Sequence, residues 1–187
     1  MKKKLISIAV VMMGFAILSM GTLAYFSDEA TAHNVIASGS VEIALQEWGD
    51  VDKTIPFNDE KNKENREGLM PGESVTKIVE VKNIGNGDAW VRMKVEKAIV
   101  LANGGFNSAN AAEQLVILQN MGDQWELEDG YYYYKEPLAV GATTQPLFDG
   151  VKLGETMDNR YQNCEISVNI TAEAVQYANN EDRAIWE

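Results

Sequence analysis

The sequence predicts an all-β fold: an antiparallel β-sandwich, jelly-roll or immunoglobulin-like, with one inserted helix. Three observations carry it. Short runs alternate apolar and polar residues at period two, turns bearing Gly or Pro separate them, and no strand–helix–strand repeat occurs that would build a parallel sheet. About seven or eight strands result, in one domain covering residues 25–187.

Residues 34–45 read as the first strand, with Val41, Ile43 and Leu45 alternating against Glu42 and Ala44. Over 46–72 the pattern stops. Asp50, Asp52, Asp59, Glu60, Glu64 and Glu67 mix with Lys53, Lys61, Lys63 and Arg66, which spells a charged, solvated loop with a helical turn near 60–66. Pro71-Gly72 ends it. Two strands follow: 74–83, with Val75, Val79 and Val81 on one face, and 89–97, with Val91, Met93 and Val95 on one face. Gly85 and Gly87 in the link between them are expected to supply positive φ angles. The second strand turns Trp90, Arg92, Lys94 and Glu96 outward.

Over 108–121 the period changes. Ala111, Leu115 and Leu118 fall at helical spacing with Ala112 and Val116 beside them, Asn107 or Ser108 can cap the start, and Gly122 sits at the stop. Residues 125–135 form a hairpin about Asp129-Gly130. Its tyrosines alternate, so Tyr131 and Tyr133 share one side and Tyr132 and Tyr134 the other; two belong to the core and two to the surface. A short strand over 147–153 precedes the longest one, Glu165–Gln176, where Ile166, Val168, Ile170, Ala172 and Ala174 face one way.

The first 24 residues stand apart. Lys2, Lys3 and Lys4 precede an uncharged apolar run, and Thr22-Leu23-Ala24 places small residues at the positions a signal peptidase reads. Cleavage between Ala24 and Tyr25 is expected, in preference to a retained membrane span, because Gly14, Ser19, Gly21 and Thr22 dilute the run. The expected localisation is therefore secreted, in the extracellular matrix or at the cell surface, with no stable membrane anchor after cleavage.

Charge and composition narrow the function further. The 187-residue chain has 16 Lys+Arg and 28 Asp+Glu, a net charge of −12. Removing the three leader lysines leaves 13 positive and 28 negative residues, or −15. A field of that sign opposes nucleic-acid binding. One cysteine, Cys164, excludes an intrachain disulfide, and one histidine, His33, excludes motifs that need two. The same single imidazole would have to serve as base for any Ser or Cys nucleophile. No cofactor is expected, although Asp50-Val51-Asp52 and Asp59-Glu60 leave calcium open as hard-oxygen ligands without the usual twelve-residue loop.

Several segments together resemble the TasA/camelysin family. They are Lys2-Lys3-Lys4 with the apolar run, Gly21-Thr22-Leu23-Ala24-Tyr25-Phe26-Ser27-Asp28, Ala37-Ser38-Gly39-Ser40-Val41, Met70-Pro71-Gly72-Glu73, Val81-Lys82-Asn83-Ile84-Gly85, Ala89-Trp90-Val91-Arg92-Met93-Lys94-Val95 and Ile170-Thr171-Ala172-Glu173-Ala174-Val175-Gln176. The resemblance implies an exported Gram-positive protein processed by the signal peptidase SipW. It also implies a sandwich that polymerises into biofilm-matrix fibres by donating its mature N-terminal strand to a neighbour. The positions matching the donor are Tyr25, Phe26, Ser27 and Asp28, running on through Val35 and Ile36. The expected partner is then another copy of the chain, head to tail, besides the signal peptidase during export. A cell-surface binding module, or a secreted camelysin-like metallopeptidase, is the alternative. Camelysin relatives also carry a metallopeptidase label, but the sequence shows no recognised zinc-binding constellation, so assembly is expected over catalysis.

Overall fold

The computed structural model describes residues 41–102, 104, 105, 109–179 and 186. Its strands are β1 (Ile43–Trp48), β2 (Ser74–Thr76), β3 (Ile78–Asn83), β4 (Ala89–Val100), β5 (Val116–Gln119), β6 (Trp125–Glu128), β7 (Tyr131–Tyr134), β8 (Gly150–Leu153) and β9 (Glu165–Gln176), with helices α1 (Lys63–Arg66) and α2 (Ala109–Leu115). Every strand pairing is antiparallel.

Two layers face each other. One is the sheet β6-β7-β4-β9. The other joins β1-β3 to β2-β8-β5. The Val79 amide donates to the Phe148 carbonyl (3.1 Å), Leu147 to Val79 (2.7 Å) and Thr144 to Val81 (2.9 Å), so residues 144–149 run beside β3 and knit the two groups together. Val75, Val79, Val81 and Val151 from one layer meet Val91, Met93, Val168 and Ile170 from the other in one buried cluster. These are the inward positions of the period-two pattern, and their burial is what drives the layers together.

Residues 74–83 do not form one strand. They keep one edge along residues 144–153 throughout, and β1 joins the other edge only beyond Lys77, from Ile78 onward. The Lys77 side chain is fully buried, its Nζ 3.0 Å from Glu47 Oε1 and 3.9 Å from the centre of the Phe57 ring. An ammonium taken out of water is tolerated only with such company: a carboxylate and the negative face of an aromatic ring. Apolar alternation on either side hides the break, because Val75 and Val79 both stay inward.

The loop 46–72 is charged as expected but is not simply solvated. β1 runs on to Trp48, Phe57 is fully buried, and buried Asn62 donates from Nδ2 to the Phe57 carbonyl (2.9 Å). On the outer face of β3, Glu80 accepts from Trp48 Nε1 (3.0 Å) and pairs with Lys53. Single anchors of this kind leave no periodicity to read. The helical turn near 60–66 is present, as a short 3-10 turn over Glu60–Asn62 followed by α1.

Gly85 and Gly87 do not adopt positive φ. The β3–β4 link passes between layers and is shaped instead by buried Asn83, whose Nδ2 donates to the carbonyls of Gly87 and Leu138 (2.9 Å each) while its Oδ1 accepts from the Gly85 amide (3.0 Å). The helix expected over 108–121 stops at Leu115, and Val116–Gln119 is β5, paired with β8 so that Leu118 lies opposite Val151. Helical and extended readings of this apolar stretch compete, and pairing with β8 decides in favour of the strand from the β-branched Val116 and Ile117 onward. Asn107 and Ser108 lie outside the described residues. The hairpin is as expected: Asp129 (φ 48°) and Gly130 (φ 82°) supply two positive φ angles, and Tyr132 and Tyr134 pack against the core. The strand expected over 147–153 is confined to Gly150–Leu153.

Candidate assembly edge

A sheet ends at strands whose outer backbone groups face away from it, and these edges are where another chain can add. β5 and β6 are short, four residues each, and β6 carries Glu126 and Glu128. Short length and like charge both discourage pairing. β9 is different: twelve residues long, it lies at the end of its sheet, and among the described residues no strand pairs with its outer side.

The register fixes which groups are on offer. Tyr177 donates its amide to the Asp88 carbonyl (2.9 Å), and β4 and β9 pair as Trp90 with Val175 and Arg92 with Glu173. In an antiparallel ladder bonding alternates by residue. Residues 167, 169, 171, 173 and 175 therefore bond to β4, while the amides and carbonyls of Ile166, Val168, Ile170, Ala172 and Ala174 point to the outer edge. Their side chains are the ones buried in the core.

β1 borders the same side of the sandwich, in contact with β9 across the layers. Since the Ile84 amide bonds to the Glu42 carbonyl (2.9 Å), Ile43, Leu45 and Glu47 turn their backbone groups away from β3. Residues 55–57 close the far end of that edge, with Phe57 donating to the Glu47 carbonyl (2.9 Å) and Gly49 to that of Ile55 (2.8 Å). Two edges thus flank one side, at the point where the chain enters the domain.

The cleavage pair Ala24 and Tyr25 and the donor positions Tyr25, Phe26, Ser27, Asp28, Val35 and Ile36 lie outside the described residues, as does His33. Two of the residues left open for calcium, Asp50 and Asp59, bond within their own loop. Asp50 accepts from the Thr54 amide (2.9 and 3.1 Å), the Thr54 hydroxyl (2.8 Å) and the Ile55 amide (2.7 Å), and Asp59 caps the turn over Glu60–Asn62 by accepting from the Lys61 amide (2.9 Å). Desolvation raises the Asp50 pKa, but the bonds from Ile55 and Thr54 outweigh it and hold the carboxyl below its usual range. A carboxyl depressed by folding contributes stability above its unfolded pKa and loses it as pH falls through the folded value. The 50–55 turn should therefore loosen below about pH 4, seen as faster exchange of the Thr54 and Ile55 amides; Asp50→Asn should flatten that pH dependence.

A model described as "Camelysin metallo-endopeptidase" matches residues 1–117; no curated protein and no solved structure matches the chain. The description implies a peptidase metal, and the donor set does not fit one. The sequence offers one histidine and one cysteine. Cys164 is buried, which pushes its thiol pKa up and disfavours the thiolate a metal needs. Among the described residues no three His, Cys, Asp or Glu side chains stand together as ligands.

Proposed function

The chain belongs to the camelysin family, which includes TasA and whose members are extracellular or surface proteins, and from that premise we propose that it is a secreted structural subunit that polymerises by donating residues 25–36 to the β9 edge of a neighbouring copy. The observation that supports this most is the length of β9 and the lack, among the described residues, of a strand on its outer side, beside the point of chain entry. Removal of the leader after Ala24 by a signal peptidase frees Tyr25, Phe26, Val35 and Ile36. Laid along β9, this segment gains main-chain hydrogen bonds from Val168, Ile170 and Ala172 and buries its apolar side chains. A contact from the head of one copy to the tail of the next does not close on itself, and so builds a filament of the extracellular matrix.

The proposal is tested by comparing the chain that begins at Tyr25 with one lacking residues 25–36. The first is expected to form filaments on standing and the second to stay monomeric, read by negative-stain imaging and light scattering. Filaments of undiminished length from the shortened chain would contradict the proposal. Mild acid should speed assembly of the longer form, because 15 net negative charges on each subunit oppose close approach.

A further inference from the structure

The outer face of the sheet β6-β7-β4-β9 carries an arrangement that strand addition does not use. Arg92, on β4, lies with its guanidinium carbon 4.1 Å from the Tyr131 ring centre and 4.8 Å from the ring centre of Trp186, the penultimate residue of the chain. Its Nε and Nη2 hold Glu173 on β9 at 2.7 and 2.6 Å, and its Nη1 donates to the Tyr133 hydroxyl at 3.1 Å. The Trp186 ring meets Tyr133 edge-on, with centres 5.6 Å apart and planes at 65°. Nearby on the same face, Trp90 is covered by Tyr177 in the same edge-on manner, centres 5.5 Å apart at 73°.

Two of these features set the site apart from incidental surface contact. Glu173 and Tyr133 fix the guanidinium plane before any ring stacks on it, so the cost of ordering a long side chain is already met. The Tyr131 ring centre stands 4.1 Å from the same guanidinium carbon and Tyr133 meets the indole edge-on, so the slot combines one cation with two aromatic rings. Such a slot selects a flat, electron-rich ring, and the indole is the best of the side-chain rings for a cation.

We propose that Arg92, Tyr131 and Tyr133 form a binding site for an indole carried on a peptide, and that the chain's own Trp186 is its ligand. The site holds Trp186 on the face of the sheet, at the level of Arg92, where it does not compete for the in-plane hydrogen-bonding groups of β9. Binding within one chain benefits from a high effective concentration, so the same peptide added in trans should bind more weakly and be measurable only when the tethered copy is absent.

The test uses protein with ¹³C-labelled tyrosine rings. In the full chain, nuclear Overhauser contacts are expected between the Trp186 indole and the Tyr133 ring. In a chain ending at Asn179, a synthetic peptide of residues 180–187 should shift the Tyr131 and Tyr133 ring signals saturably. The peptide with Trp186→Ala should bind about tenfold more weakly or worse. The full chain should not respond, because its site is filled. Arg92→Lys in the shortened chain, which keeps the charge but loses the plane and the fork, should weaken the peptide by a similar factor. Absence of the Overhauser contacts, equal binding of the two peptides, or uptake of peptide by the full chain would each overturn the proposal.

Discussion

Ala172→Pro is expected to leave the sandwich folded and to stop its polymerisation. Proline removes one amide hydrogen, and the register places the Ala172 amide on the outer side of β9, where no bond to β4 is lost. The ring adds volume at a buried position, so the monomer should lose about 1–3 kcal/mol, visible as a lowered urea midpoint with an unchanged β-type circular dichroism. An incoming strand, however, would lose a hydrogen bond and meet the ring in its path, which is how edge prolines block addition. Thr171→Pro is the matched control. Its amide bonds inward to β4, so that change should unfold the sheet. If Ala172→Pro polymerises at the wild-type rate, β9 is not the accepting edge.

The second large effect lies at the break between β2 and β3. Lys77→Met should cost about 3–5 kcal/mol, because the Glu47 carboxylate, with only 11% of its side chain exposed, loses its 3.0 Å partner. That is a large share of the ~5–15 kcal/mol that holds a domain together. Converting both residues, as Lys77→Met with Glu47→Leu, should recover most of the loss, since a well-packed apolar pair costs little or nothing relative to a buried ion pair. Urea unfolding of the single and double variants measures both. A loss under about 1 kcal/mol in the single variant would show that the pair does not pin β1 to the β2–β3 break.

The period-two runs made the sandwich legible. Val79 and Val81, Val91 and Met93, and Val168 and Ile170 are buried where alternation places them, because burying one face of a strand requires that spacing. The Asp129-Gly130 hairpin was legible for an equally local reason: two consecutive positive φ angles suit few residue pairs. What the sequence concealed depends on partners far along the chain. Nothing local marks Lys77 as a strand break, since its compensating groups are Glu47 and Phe57, thirty and twenty residues away. The strand character of Val116–Gln119 comes from β8, not from its own pattern. The edge itself was half legible. The length of β9 could be read, but which side of it faces out followed only from the ladder with β4.

The aromatic-cation slot shows the same division. Alternation within the tyrosine run put Tyr131 and Tyr133 on one side together, and left which side faced the core to the fold. Only the fold brings them to Arg92 and Trp186, from three separate segments.

Residue-resolved hydrogen exchange of β9, compared between monomer and filament, tests the strand-donation account most directly. The amides of residues 167, 169, 171 and 173 bond to β4 and should be protected in both states. Those of Val168, Ile170 and Ala172 should exchange quickly in the monomer and slow by about tenfold or more in the filament, as a neighbour's segment covers them. Equal exchange of these three amides in the two states, whether uniformly fast or already slow in the isolated monomer, would contradict it.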